Sequence, residues 1–203
     1  MLDRLVAEEL HAELRTDLIG REIIVLEQTA STNDAILQIT NANPMEGLVV
    51  FAEHQTAGRG QRGNRWESPA GKGLWFSILL RPAMDLASSP QLTVWAADAV
   101  SAAIQHEFPL TPEIKLPNDV QIGGRKVAGV LVEMRAQEKA AHLAIVGIGI
   151  NVNQSREDFP RELQSSATSL AMALRKQVDR QTFAIALLRK LDRTYGTRFG
   201  RNA

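Results

Sequence analysis

The chain has 203 residues, 44% of them hydrophobic and 23% charged, with 23 Lys+Arg set against 23 Asp+Glu. That is enough for one domain with a full core, and the balance leaves no overall basic field of the kind that draws in nucleic acid. The absence of cysteine excludes disulfides, thiol catalysis and Cys-ligated zinc and suits a reducing compartment; no apolar run approaches the ~20 residues of a membrane span, and the charged start of the chain does not read as a signal peptide.

In chain order, residues 3–15 carry Leu5, Val6, Leu10 and Leu14 on one stripe and predict a short amphipathic helix, ended by Gly20. Residues 22–27 predict a strand. Ser31-Thr-Asn-Asp34 offers more N-cap candidates than one helix needs. The surplus sits at a strand end, where small polar groups meet ligands. The helix that follows carries Ala35, Ile36 and Ile39. Leu48-Val-Val-Phe51 reads as a buried strand, and residues 74–80 as another, broken by Arg81-Pro82. Residues 91–108 predict a helix with Trp95, Ala99, Ala103 and Ile104 inward. A short strand at 113–116 is stopped by Pro117-Asn-Asp119. Residues 120–122 and 125–133 flank Gly123-Gly124 and predict a hairpin. A polar turn is expected at 135–140, then an apolar strand at 142–151 whose Gly147 and Gly149 let something approach the sheet closely. Asp179 suits the cap of a last helix with Phe183, Ala186, Leu187, Leu191 and Tyr195 buried. The histidines, at 11, 54, 106 and 142, show no metal-ligand spacing. With no repeat and no linker, the reading is a single α+β domain over 1–203: a mixed, largely antiparallel sheet with flanking helices, the first within 1–20 and the last at 179–199.

The loop between the two buried strands carries the most chemistry. Glycines 58, 60 and 63 alternate with arginines 59, 62 and 65, and Trp66 closes the stretch. Glycine backbone and guanidinium forks together suit phosphate or another delocalised anion. Gly58-Arg-Gly-Gln-Arg-Gly63 also matches the dinucleotide-binding fingerprint, but that motif needs a helix directly after the glycines. Here Glu67-Ser-Pro-Ala-Gly-Lys-Gly73 follows, and then a strand, so the dinucleotide reading fails. Further along, Lys115, Asn118, Asp119 and Lys126 cluster around one turn and one hairpin. Each alone is most often a turn or surface residue. Together with the Gly/Arg loop they suit a phosphate-handling site, with a carboxylate for Mg2+. Without Cys or a His pair, the substrate would have to supply the nucleophile.

Six segments in order, Ser31-Thr-Asn33, Gln55-Thr-Ala-Gly-Arg-Gly60, Arg65-Trp66, Lys115-Leu-Pro-Asn-Asp119, Gly124-Arg-Lys-Val-Ala-Gly129 and Gly147-Ile-Gly-Ile-Asn-Val-Asn153, resemble biotin protein ligase across roughly residues 22–174. The resemblance implies the biotin–lipoate ligase fold, related to class II aminoacyl-tRNA synthetases. It also implies a two-step reaction: biotin and MgATP give biotinyl-5′-AMP, and a lysine of a biotin carboxyl carrier protein then takes the biotin. Biotin, ATP and Mg2+ would be the small-molecule partners, with no tightly bound prosthetic group.

By position, Ser31, Thr32, Asn33, Gln55 and the backbone near Gly129 would contact biotin. Arg59, Gly60 and Gln61 would close over it. Lys126 would hold the biotin carboxylate and the phosphate. Lys115 and Asp119 would handle the triphosphate and Mg2+, and Arg62, Trp66, Asn118 and Asn151 the rest of the nucleotide. The resemblance further implies a cytoplasmic enzyme and an edge strand able to pair two copies as a homodimer; the balanced charge and the expected lack of a helix–turn–helix predict no DNA partner, and the lack of a long apolar run predicts no membrane.

Four departures carry expectations. Leu116 replaces the usual Trp. Gln61 stands where many members have Arg, which predicts looser retention of the adenylate. A winged helix–turn–helix before the domain and a small β-domain after it are both expected to be missing. Lipoate or octanoate transfer on the same fold, and a non-catalytic biotin-binding module, are the alternatives.

Overall fold

In the computed structural model, which describes residues 4–39, 45–137 and 141–199, twelve regular helices and strands alternate along the chain. They are α1 (Ala7–Leu14), β1 (Glu22–Thr29), α2 (Thr32–Ile39), β2 (Leu48–Gln55), β3 (Gly73–Leu80), α3 (Pro90–Glu107), β4 (Pro112–Lys115), β5 (Asp119–Ile122), β6 (Arg125–Arg135), β7 (Leu143–Asn151), α4 (Leu170–Leu174) and α5 (Arg180–Phe199). Seven strands make one sheet in the order β1-β2-β3-β7-β6-β5-β4. Only β1 and β2 pair in parallel, joined by α2 as a crossover; every other pair is antiparallel. The sheet is mixed and largely antiparallel, as the sequence pattern predicts.

The period-2 alternation of the central strands sorts the sheet into two unlike faces. Ala144, Val146, Ile148 and Ile150 of β7 join Leu74, Phe76, Ile78 and Leu80 of β3 and Ala128 and Val130 of β6. Residues of α1, α3 and α5 close this main core. The intervening residues, Trp75, Ser77, Gly129, Leu131, Gly147 and Gly149, belong to the opposite face. There α2 covers one end, setting Ala35 and Ile36 on Leu48, Val50, Leu79 and Ile145. Among the described residues the rest of that face has no helical layer above it, and its glycines cannot fill the space themselves.

Several expectations are corrected. The first helix ends at Leu14, where Arg15 takes the left-handed conformation (φ 47°). Gly20 (φ 89°) belongs to the later turn into β1, where a Cβ would meet Leu14 Cδ2 at 2.2 Å. Ile39 is 38% exposed, because α2 is too short to bury its last turn. Ala186 is only half-buried, whereas Arg180 and Ala184 on the same helix are buried. The other inward residues predicted for α3 and α5 are in the core. Asp179 accepts a hydrogen bond from Thr182 N (2.8 Å), as its capping role requires. Gly123 and Gly124 take φ of 56° and 73°, the paired positive angles of a tight hairpin turn. Residues 138–140 of the expected polar turn lie outside the described residues.

Candidate active site

The bare part of the sheet is the floor of a cleft. In register across it, Trp75 of β3 faces Gly149 of β7, Gly149 faces Gly129 of β6, and Gly129 faces Asp119 of β5. One step along, Ser77 faces Gly147, and Gly147 faces Leu131. The Trp66 ring lies on this floor. A Cβ at Gly149 would stand 2.5 Å from the indole and one at Gly129 2.9 Å, so only glycine admits the ring. The close approach anticipated for Gly149 is therefore made by the chain's own tryptophan. The Trp66 Nε1 atom is buried and has no hydrogen-bond partner among the described residues. Such a donor is costly to leave unmade, and a ligand acceptor would satisfy it.

The Gly/Arg loop is a miniature hairpin and is well tied. Trp66 N donates to Gly58 O (2.9 Å), Gly60 N donates to Asn64 O (2.7 Å), and Arg59 and Arg65 form a bridge. Only Arg62 (φ 59°) and Gly63 (φ 77°) are left-handed, at its tip. Gly58 is needed for space instead, since a Cβ there would meet Trp66 O at 2.5 Å.

At one end of the cleft α2 presents its buried first turn. Ser31, Thr32 and Asn33 are each under 5% exposed. Thr32 N donates to Gln55 Oε1 (2.8 Å), and Gln55 Nε2 donates to Ser68 Oγ (2.8 Å). The Ser77 hydroxyl lies 2.7 Å from Thr32 Oγ1 and 2.6 Å from Asn33 Oδ1. At the other end, Lys126 Nζ sits 2.6 Å from Asp119 Oδ1 and 5.1 Å from the centre of the Trp66 ring. A local irregularity aims it there. Val127 and Ala128 are both buried in the main core, and the register shifts between Val120 and Gln121. This β-bulge resets the alternation and returns Lys126 to the cleft face. Residues 166–168 hold its backbone, with Lys126 N donating to Ser166 O (2.8 Å) and Thr168 N donating to Lys126 O (2.9 Å).

Of the residues singled out in the sequence, Ser31, Thr32, Asn33, Gln55, Arg59, Gly60, Gln61, Trp66, Asn118, Lys126 and Gly129 line this cleft. A second cleft adjoins it, sharing Trp66 and Lys126 and adding Asn64, Arg65, Asn151 and Phe159. Asn151 is held by donating to Thr168 O (3.0 Å) and accepting from Gln154 Nε2 (3.0 Å). Asn118 turns its amide onto Val130 O (3.2 Å). Arg62, Lys115 and Asp119 line neither cleft; Asp119 reaches the site through its contact with Lys126. Arg62 is exposed at the hairpin tip, and Lys115 is exposed on edge strand β4, although its backbone pairs with Asp119. Ser68, Ser77 and Glu133 belong to the cleft's polar network and were not singled out. Ser77 could have been, as the one hydroxyl in an otherwise apolar strand. The Arg59 guanidinium is held protonated even more firmly than usual, chiefly by its hydrogen bond to Asp34. No group of three or more His, Cys, Asp or Glu side chains suited to a metal occurs among the described residues. A divalent ion here would therefore have Asp119 plus oxygens brought by a substrate, a donor set that suits Mg2+.

Comparison with known proteins agrees with this geometry. The profile of the Biotin/lipoate A/B protein ligase family matches residues 25–151. The bifunctional ligase/repressor BirA of Bacillus spizizenii is 42% identical over 177 residues, 87% of this chain. The biotin–[acetyl-CoA-carboxylase] ligase of Mycobacterium tuberculosis is 34% identical over 88% of it and 68% of its own length. The biotin protein ligase of Aquifex aeolicus, solved with biotin and ATP, superposes with a TM-score of 0.74 at 32% identity, covering 90% of this chain and 75% of that one. The chain spans about half (54%) of the BirA protein. On the matched profile and these identities, the chain belongs to the biotin/lipoate A/B protein ligase family.

Proposed function

We propose that the chain activates biotin with ATP and transfers it to a lysine of a biotin carboxyl carrier protein. The observation that carries this is the pair of adjoining clefts that share Trp66 and Lys126. One is lined by small polar groups suited to a ureido ring, the other by Asn151 and the Gly/Arg hairpin. A carboxylate oxygen of biotin attacks the α-phosphorus of ATP, the bond to the bridging oxygen breaks, and pyrophosphate leaves. The carrier's lysine amine then attacks the acyl carbon of biotinyl-5′-AMP and expels AMP.

Lys126 stands where the two anions meet, so its ammonium would offset their repulsion most in the transition state. Asp119, now paired with Lys126, would turn to the nucleotide's Mg2+, which supplies charge neutralisation on the phosphates. Arg62 and Lys115 could reach the polyphosphate only by movement of the hairpin tip and the edge strand. The neutral net charge supports a protein without a DNA partner. Among the described residues no helix is long and apolar enough to cross a membrane. We place the enzyme in the cytoplasm, and the sheet's two edge strands, β1 and β4, are those open to pairing in a homodimer.

Biotin-dependent exchange of radiolabelled pyrophosphate into ATP by the purified protein tests the reading. Exchange that needs biotin is expected; none at saturating biotin, ATP and Mg2+ would refute it.

A further inference from the structure

Arg59, the first arginine of the hairpin, is gripped by two acids for which the proposed chemistry has no use. Its guanidinium donates twice to Asp34 in the first turn of α2, with Nη2 2.9 Å from Oδ1. The same Nη2 lies 3.3 Å from both oxygens of Glu133 on β6. Glu133 also accepts from Asn33 Nδ2 at 2.6 Å, and from Asn33 the contacts continue through Ser77, Thr32 and Gln55 to Ser68. One polar chain thus leaves the hairpin at Arg59, runs beneath the cleft, and rejoins the loop at Ser68, two residues past Trp66. A planar fork set against carboxylates is a strong and directional contact.

We propose that Asp34 and Glu133 are positioning residues, an acidic clasp that holds the hairpin over the acyl adenylate through Arg59. Glu133 divides its carboxylate between Arg59 and Asn33, so whatever Asn33 touches in the cleft is felt by the clasp. The role in adenylate retention rests on the biotin-activation reading above. The three side chains are 39%, 41% and 38% exposed, so their effect falls on hairpin opening and not on the stability of the fold. With uncharged Gln61 beside it, Arg59 is the hairpin arginine that lines the first cleft, while Arg65 lines the adjoining one and pairs with Glu67 (3.0 Å), so the hairpin's ties to α2 and β6 run through the clasp.

Two measurements on Asp34→Asn test the clasp. In the empty protein, trypsin should cut after Arg62 and Arg65 several-fold faster than in the wild type, with the melting temperature unchanged. This readout does not depend on any chemistry at the site. Biotinyl-5′-AMP formed on the enzyme should also leave about tenfold faster, the loss of one charge-assisted contact, while exchange turnover at saturating biotin and ATP stays near wild type. Asp34→Glu should recover slow release. Added salt should speed release from the wild type more than from Asp34→Asn. Equal cutting of the empty proteins overturns the clasp whatever the reaction is. Faster cutting with unchanged adenylate release confines it to the empty state and overturns its role in retention. A wild type that forms no adenylate counts against the functional reading, and the proteolysis result then decides the clasp alone.

Discussion

The motif marks Lys126, but strand alternation alone does not explain how it reaches the cleft. Two consecutive residues, Val127 and Ala128, turn into the core, and only that bulge brings the ammonium within 2.6 Å of Asp119. On the proposed reading Lys126→Ala should fold normally and lose exchange by on the order of 10²–10³, as when one preorganised charge is removed from a transition state. Lys126→Arg should recover little, since a broad planar fork is no substitute for a point charge in a confined site. Exchange within a factor of a few of wild type for Lys126→Ala would refute its role. Gly149 is as exacting a position. A methyl there meets the Trp66 indole at 2.5 Å and must push the ring off the floor. Gly149→Ala should weaken biotin and nucleotide binding together, read by titration calorimetry, because both clefts share that ring. Loss of only one ligand would show that the clefts are not joined through Trp66.

At the scale of elements, the strands and long helices were legible because their apolar periods are long and clean. The Gly-Gly hairpin, the α3 core stripe and the Asp179 cap followed from local chemistry alone. The bulge was not legible: nothing in Arg-Lys-Val-Ala-Gly says that Val120 pairs with Ala128 while the next residue, Gln121, pairs with Lys126 and skips Val127. The clasp was equally hidden, since Asp34 and Glu133 are 99 positions apart and meet at Arg59 only through the sheet order. Lys115 stands differently. Its motif marks it, yet β4 is one of the sheet's two edges and leaves its exposed side chain outside the clefts.

A buried pair was missed for a related reason. Arg180 opens α5 with its side chain fully buried, donating to Glu53 Oε2 (2.8 Å) and Gly73 O (3.0 Å), while Glu53 Oε1 accepts from Leu5 N (2.7 Å). This pair ties the chain's start, the strands on either side of the Gly/Arg loop and the last helix to one point. Arg180→Met should cost about 3–5 kcal/mol in urea unfolding, because it strands a buried carboxylate. Adding Glu53→Gln should return part of that loss. A cost within about 0.5 kcal/mol, typical of a surface change, would mean the pair is solvated in solution.

The whole molecule is a sheet with a filled side and a partly open side, and the specificity of the proposed reaction should follow from what lines the opening. The polar set of Ser31, Thr32 and Gln55 would lose water and gain no hydrogen bond from a ligand whose ring offers no donors or acceptors. Such mismatches discriminate strongly. Pyrophosphate exchange with lipoate in place of biotin should therefore be negligible, and comparable rates with the two acids would place the chain in the lipoate branch of its family.

The two-sided sheet has a further consequence, one that concerns time. Most of the apolar packing on the central strands lies on the side of α1, α3 and α5, whereas α2 rests on a small separate cluster and the hairpin on polar contacts. Amide protons should therefore exchange in two tiers, with those of β3, β6 and β7 waiting for global unfolding and those of α2 and residues 58–66 escaping through local openings. Biotin and ATP should slow the second tier by orders of magnitude and leave the first nearly where it was. The protein would then keep one permanent half and one half that only becomes solid in use.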